Sequence, residues 1–180
     1  LRDSPSAIHV ISDVCGVALS LVTLSESVKT LQCLQPTAIT SDTLSTTSTA
    51  FVDIAGLTQS ITPSAATSKI LVLFNCMVGS QTGWHGHVRL VRDSTPIGVG
   101  DANGSRKQST SEGSGGNGSM CQPVPGMFLD SPSTTSATTY KLQWATEASG
   151  TIYLNRAFTN TDKLNFGTFI STLTVMDIGV

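Results

Sequence analysis

The feature that most restricts the fold is a series of short stretches after residue 50 in which apolar and polar residues alternate. A period of two places successive side chains on opposite faces of a β-strand. These stretches lie at 51–54, 69–74, 87–92, 97–99, 140–144, 151–154 and 169–178. Turn-forming residues separate them. The pattern predicts an all-β fold over residues 51–180, an antiparallel β-sandwich or jelly-roll-like domain.

Residues 1–35 follow a different period, which is typical of a helix. Apolar residues recur at alternating steps of three and four, the repeat of a coiled coil: Ala7, Val10, Val14, Val17, Leu21, Leu24, Val28 and Leu31. Gly16 and the many β-branched residues also suit a strand or an extended arm, so both interpretations stay open. A helical stripe of this kind cannot bury itself, and its residue types are compatible with three strands. We therefore expect a short N-terminal stalk that associates into a homotrimer.

Residues 36–50 form the third region, which we interpret as a Ser/Thr-rich linker. Hydroxyl side chains compete for backbone hydrogen bonds and disfavour a helix there. The whole chain is rich in them, with 49 Ser and Thr among 180 residues, whereas only 12% of residues are charged. A net charge of -2 provides no basic surface for nucleic acid. No apolar run reaches the length of a membrane span, so we expect neither nucleic-acid binding nor membrane insertion.

The cysteines and histidines offer little for a metal or catalytic site within one chain. Cys15, Cys33, Cys76 and Cys121 contain no CxxC pair and have no histidine at zinc-ligand spacing, which favours free thiols. With three histidines, and without a GxSxG or HExxH motif, hydrolase constellations have few residues to use. The composition therefore predicts a protein that is not an enzyme.

Two loops are the candidate binding elements. Residues 101–120 contain five glycines and almost no apolar side chains, and such loops on a rigid β scaffold commonly bind ligands. A second loop, around residues 80–87, holds an aromatic ring next to two histidines. Trp144 lies in an alternating stretch and is expected in the core, whereas Trp84 follows a turn and could stack on a sugar. The candidate binding residues are Trp84, His85, His87, Asn103, Arg106 and Lys107.

From residue 49 onward the sequence resembles a C-terminal domain of tailed-phage virion proteins, especially those of marine cyanophages. The resemblance covers about 130 of the 180 residues and rests on a series of motifs: TAFVDIAGL at 49–57, ITPS at 61–64, SKILV at 68–72, LVRDSTPIGVGD at 90–101, FLDSP at 128–132, TSATTYKLQ at 135–143, NR at 155–156 and the stretch 170–178. It implies a tail-fibre or other virion appendage protein, commonly trimeric, with a stalk before the β domain. Its location would be the virion surface or extracellular.

The His85-Gly86-His87 spacing adds one metal hypothesis. In a strand both imidazoles point to the same side, so three chains around a threefold axis could direct six of them at one transition-metal ion. This pair resembles the HxH pairs that hold iron on the axis of trimeric phage fibres. The alternative is a hairpin turn in which His85 and His87 bind no metal.

The sequence thus predicts a non-enzymatic, homotrimeric virion appendage that contacts a host surface glycan or another virion protein. Three weak sites on one trimer would act together through their high effective concentration. Two alternatives stay open: a capsid decoration protein, such as a head fibre or cement protein, and an extracellular lectin-like adhesin domain.

Overall fold

The computed structural model describes residues 29–114 and 116–179, and all the regular structure in this part is β. Within these residues the chain forms eleven strands: β1 Lys29–Leu34, β2 Ser45–Thr46, β3 Val52–Ile61, β4 Lys69–Ser80, β5 His85–Arg92, β6 Thr95–Ile97, β7 Ser111–Ser114, β8 Cys121–Asp130, β9 Thr138–Thr146, β10 Ile152–Leu154 and β11 Thr172–Gly179. The predicted all-β class is confirmed. No helix in this part of the chain is long and apolar enough to cross a membrane.

The strands form two antiparallel sheets. In the six-stranded sheet, β4 pairs along one edge with β8 and along the other with β11 and β10, while β1 adds to β11 and β2 adds to β10. In the five-stranded sheet the order is β3, β9, β5 and then β6, and β7 shares the β5 edge with β6. Two opposed sheets of this kind make a β-sandwich plausible and place two broad outer faces toward the surroundings.

The core lies between the inward-facing residues of the two sheets. Along β4 every second residue from Ile70 to Val78 is buried, and β9 contributes Tyr140, Leu142 and Trp144. The predicted core position of Trp144 is therefore correct, since it is 3% exposed. The period of two buries one face of each strand because alternate side chains point to opposite sides.

The end of the predicted helical stalk is a strand in the structure. Lys29–Leu34 forms β1, which pairs antiparallel with β11 from Lys29 opposite Gly179 to Leu34 opposite Val175. Over these six residues the alternative of a strand is correct and the helix is wrong. Pairing with β11 gives the backbone groups on one side of this strand hydrogen-bond partners, which outweighs a weak helical preference. The rest of the stalk, residues 1–28, lies outside the described residues.

Residues 36–50, predicted as a linker, contact the sheet at three points. Ile39 forms a two-way backbone bridge with Ser171, and its side chain packs against the core. Ser45–Thr46 pairs with β10 as strand β2. The side-chain amide of Asn155 donates to the carbonyl oxygens of Ile39 and Ser41 at 2.7 and 3.1 Å. These contacts fix the segment against the six-stranded sheet.

Three cysteines fall within the described residues, and all are free thiols there. Cys76 is buried in the core, Cys33 is exposed on β1, and Cys121 begins β8 half-buried. Burial raises the pKa of both the Cys76 and the Cys121 thiols to about 12. Neither of these two thiols is therefore ionised near neutral pH.

Candidate functional site

The outer face of the five-stranded sheet is polar. Asp53 accepts hydrogen bonds from Lys141 at 2.8 Å and from Gln143 at 2.7 Å, and these partners hold the pKa of Asp53 below its usual range. The Gln143 amide oxygen in turn accepts two hydrogen bonds from Arg89, at 2.7 and 2.9 Å. The Arg89 guanidinium also stacks on the ring of Phe51, 4.0 Å from its centroid. Charged and amide groups therefore cover the middle of this face.

A cleft of about 450 Å³ opens on the same face, near the start of β5. Its lining combines two cations, two carboxylates, a histidine and a hydroxyl: His87, Ser105, Arg106, Lys107, Glu112 and Glu147. Three of these, His87, Arg106 and Lys107, are among the residues predicted from the sequence. The cleft is the place where the two predicted loops meet.

Strand pairing explains how the histidines and carboxylates come together. His85 and His87 lie on β5 and point to the same side, as the strand interpretation predicts. β7 pairs with β5 so that Glu112 lies directly opposite His87. One Glu112 oxygen is 3.3 Å from His87 Nδ1, and the other is 3.8 Å from His85 Nδ1. Glu147 follows the end of β9, and its carboxylate accepts the backbone N–H of His85 at 3.0 Å.

Two facing glycines let this part of the sheet approach the core closely. Gly86 on β5 is paired with Gly113 on β7. A Cβ atom on Gly86 would lie 2.8 Å from the Val78 side chain, and one on Gly113 would lie 2.7 Å from Val124. A side chain at either position would push the sheets apart. His85, His87 and Glu112, which alternate with these glycines, point outward as a result.

The other wall of the cleft is the loop of residues 98–110, which is anchored at several points. Gly100 exchanges hydrogen bonds with the Ser109 carbonyl and the Gln108 side chain, and Thr110 bonds to the backbone of Val88 and Leu90. The Lys107 ammonium donates to the Thr49 carbonyl oxygen and lies 5.8 Å from the Phe51 ring centroid. These bonds hold the loop beside β5. Lys107 therefore helps to fix the loop in addition to lining the cleft.

Arg106 is placed differently from Lys107. It lies in the exposed part of the loop, in a turn closed by its own N–H and the Asn103 carbonyl at 3.2 Å. Within residues 29–114 and 116–179 no hydrogen bond or ion pair engages its guanidinium. Arg106 therefore has its full set of five N–H donors for a ligand.

The three remaining predicted residues do not line the cleft. His85 lies beside it on β5, where its Nδ1 is 3.8 Å from Glu112. Trp84 is half-buried against Gly150, where an added Cβ would lie 2.5 Å from the indole ring. Asn103 is exposed in the turn before Arg106. Three lining residues escaped the sequence analysis: Glu147 altogether, and Ser105 and Glu112 except as part of the predicted loop 101–120. No sequence pattern marks Glu147, because only the pairing of β9 with β5 brings it to the site.

The surroundings of His87 do not match a catalytic triad. Ser109 Oγ is 3.3 Å from His87 Nδ1, and Glu112 approaches the same nitrogen. In a Ser-His-acid triad the serine and the carboxylate contact opposite ring nitrogens, so that one accepts the serine proton while the other is held by the acid. This arrangement gives Ser109 no such base.

Burial lowers the pKa of His87, against the opposing attraction of Glu112. As the pH falls, the imidazole of His87 is therefore protonated at a higher pH in the unfolded chain than in the folded protein. The neutral ring contributes to stability above about pH 6.5, and this contribution is lost below that pH. We expect the unfolding temperature of the wild-type protein to fall between about pH 7.5 and 5 by more than that of His87→Gln. Equal profiles for the wild type and His87→Gln would contradict the assignment.

The metal hypothesis is not tested by a single chain. Within the described residues no group of three or more His, Cys, Asp and Glu side chains is arranged to hold a metal ion. The axial site needs the imidazoles of three chains, so His85 and His87 stay predicted ligands of such an ion. Metal analysis of the purified protein, with about one transition-metal ion per three chains expected, decides it.

Comparisons with known proteins provide little further information. No protein-family model matches the chain, and no curated protein matches it. Among solved structures, a chain of the infectious bursal disease virus, Gx strain, matches with 12% sequence identity and a TM-score of 0.38. The match covers 90% of this chain and 45% of that chain, so this sequence spans about half the length of the viral one. A TM-score this low does not establish a shared fold.

Proposed function

We propose that this chain is a non-enzymatic recognition domain of a virion appendage of the tail-fibre type, located on the virion surface, and that its cleft binds a hydroxyl-rich glycan of the host. The observation on which the proposal depends is the convergence of Arg106, Glu112 and Glu147 on one cleft. A sugar hydroxyl both donates and accepts hydrogen bonds, so it can pair with a carboxylate and a guanidinium at the same time. The resemblance of residues 49–178 to phage appendage domains supports the assignment to a virion.

The balance of charge in the cleft favours a neutral or weakly charged ligand. Two cations and two carboxylates line it, and His87 is held toward its neutral form by burial. A polyanion would meet the repulsion of Glu112 and Glu147, and a polycation that of Arg106 and Lys107. We therefore propose a neutral or singly charged saccharide as the ligand class.

Multivalency completes the proposed mechanism. We propose that the chain acts as a homotrimer, in which three weak cleft sites engage one surface at high effective concentration. The expected solution mass by light scattering is three times the 18.8 kDa of one chain. A monomer would remove avidity, and with it the axial metal site, but would leave the cleft as a single weak site.

The glycan proposal is tested on an array of neutral and singly charged saccharides. Arg106→Ala should weaken binding of the best saccharide about tenfold or more, because it removes a charge-assisted hydrogen bond. Glu147→Gln should weaken it too while keeping an acceptor for the His85 N–H. The matched controls, Lys163→Ala and Asp162→Asn, change the same charges in an exposed loop outside the cleft and should bind as the wild type does.

The array, combined with binding to purified viral shells and detection of the chain in purified virions, separates the proposed function from its alternatives. A chain that binds no saccharide but binds purified viral shells is a capsid decoration protein. Saccharide binding that survives both Arg106→Ala and Glu147→Gln would contradict the cleft as the site. An extracellular adhesin of another origin would bind a saccharide through the cleft yet be absent from purified virions.

A further inference from the structure

The outer face of the six-stranded sheet is apolar, in contrast to the polar face described above. Leu71, Leu73 and Met77 point outward from β4, the central strand, and are only half-buried. On the neighbouring strand β8, Met127 is 72% exposed and Leu129 is 54% exposed. Exposed apolar side chains thus continue from strand to strand.

Strand register places these side chains in rows across the sheet. Leu71 lies between Leu129 on β8 and Met176 on β11. Two residues further along, Leu73 lies between Met127 and Thr174, above a groove of about 560 Å³ whose walls include Pro125 and Thr172. With strands about 4.8 Å apart, each row is about 10 Å wide, which is the width of one α-helix.

An apolar surface of this kind is expected to be covered by another segment or another chain. Soluble proteins rarely expose contiguous apolar patches larger than a few hundred Å², and larger patches mark contacts with another segment or chain. Water contact with Met127, Leu129 and their half-buried neighbours costs free energy roughly in proportion to their apolar area. An apolar segment of the chain that reaches this face would remove that cost.

Residues 1–28 are a segment of the chain that is connected to this sheet close to its apolar face. They lead directly into β1, which belongs to the same sheet and begins with Lys29 opposite Gly179. The next row of the sheet pairs Ile178 with Lys69, close to the Leu71 row. The segment therefore joins the sheet at the end where the apolar face begins, and only two strand spacings separate β1 from β4.

The composition of this segment matches the face. Residues 10–24 include ten apolar side chains and one charged one, Asp13. In a helix the repeat of Val10, Val14 and Leu21 covers one side, while Ile11, Cys15, Ala18 and Val22 form a second apolar stripe about a third of a turn away. Fifteen helical residues span about 22 Å, and the distance along β4 from Leu71 to Met77 is about 20 Å.

We propose that residues 10–24 of each chain pack on the outer face of the chain's own six-stranded sheet. The stripe that contains Ile11 and Val22 covers the rows of Leu71 and Leu73. The stripe that contains Val10 and Leu21 stays available for contact with other copies, so the proposal is compatible with a trimer and does not depend on the glycan cleft.

The first test uses Met127→Lys in the full-length chain. On an open surface this change is nearly neutral, whereas under a packed segment it places a charge in an apolar contact. We expect the unfolding temperature to fall by about 5 °C or more. The control is Leu164→Lys, at an apolar residue that is fully exposed outside the face, and it should leave the unfolding temperature unchanged. Equal unfolding temperatures for the two variants would overturn the proposal.

The second test uses the native Cys15 as a probe of position. In a chain with Cys33→Ser and Cys121→Ser, Met127→Cys should form an intrachain disulfide with Cys15 under mild oxidation, visible as a faster band on a non-reducing gel. Thr58→Cys, exposed on the other sheet, should form none and controls for random encounter. A disulfide that links two chains would overturn docking on the chain's own sheet and assign the face to a second copy. Failure of saccharide binding would leave both tests unaffected.

Discussion

Replacing Gly79 by alanine should destabilise the fold by about 3 kcal/mol, among the largest effects that we expect from a single methyl group. Gly79 lies on β4, where a Cβ atom would stand 2.1 Å from the Arg156 carbonyl oxygen and 2.8 Å from the Ala157 Cα. These are backbone atoms, so no side chain can rotate away. The measurement is the free energy of unfolding in urea.

The backbone over Gly79 has little freedom to shift because Asn155 holds it. The Asn155 N–H donates to the Met77 carbonyl at 2.7 Å, and its side chain accepts from the Ser171 hydroxyl at 2.7 Å. Gly100→Ala is the matched control: nothing lies within 4 Å of its Cβ position. It should unfold within about 0.5 kcal/mol of the wild type. Equal free energies of unfolding for Gly79→Ala and Gly100→Ala would contradict the prediction, because they would mean that the backbone of residues 155–157 moves to make room for the added methyl group.

Asp130→Ala is the second substitution with a large expected cost, about 3 kcal/mol. Asp130 is 6% exposed and receives two hydrogen bonds from one Arg92 nitrogen, both at 2.9 Å, and one from the Tyr140 hydroxyl at 2.7 Å. Burial and the bond to Asp130 raise the pKa of Tyr140, which keeps its hydroxyl a donor. Removal of the carboxylate leaves a guanidinium and a buried hydroxyl without their acceptor.

Two further variants separate the parts of this network. Tyr140→Phe removes one bond to a charged acceptor and should cost less, about 1.5 to 2 kcal/mol. Asp130→Ala combined with Arg92→Met should be less destabilising than Asp130→Ala alone, because no cation is left without its partner. The readout is again urea unfolding of all four proteins. A double variant less stable than the single one would contradict the assigned role of Arg92.

Much of the fold could be predicted because alternation reports burial directly. The stretches at 69–74 and 140–144 form the first half of β4 and the centre of β9, since every second side chain there faces the core. Strand β8 was not predicted because Pro123 and Pro125 disfavour a strand. The structure accommodates both prolines because β8 is an edge strand, where missing N–H groups need no partner. β7 escaped because its Ser111–Ser114 sequence has no apolar residue, and it pairs through Gly113.

The candidate site could be predicted only in part, for a similar reason. The shared side of His85 and His87 follows from strand geometry alone. Glu112 and Glu147 are brought to them by the registers of β7 and β9, which depend on contacts far apart in the sequence. The helical period of residues 1–35 was misleading at Lys29–Leu34, where pairing with β11 decides the structure.

Two of the strands at sheet edges, β3 and β8, carry features that oppose pairing with a strand of a second chain. On β3 the pairing with β9 breaks between Asp53 and Thr58, where Gly56 adopts a φ of 86°, and on β8 two prolines remove N–H donors. Both strands are thereby poor templates for strand addition by a second chain. A neighbouring copy that approached either of these two edges would therefore have to bind through side chains and loops rather than by continuing the sheet.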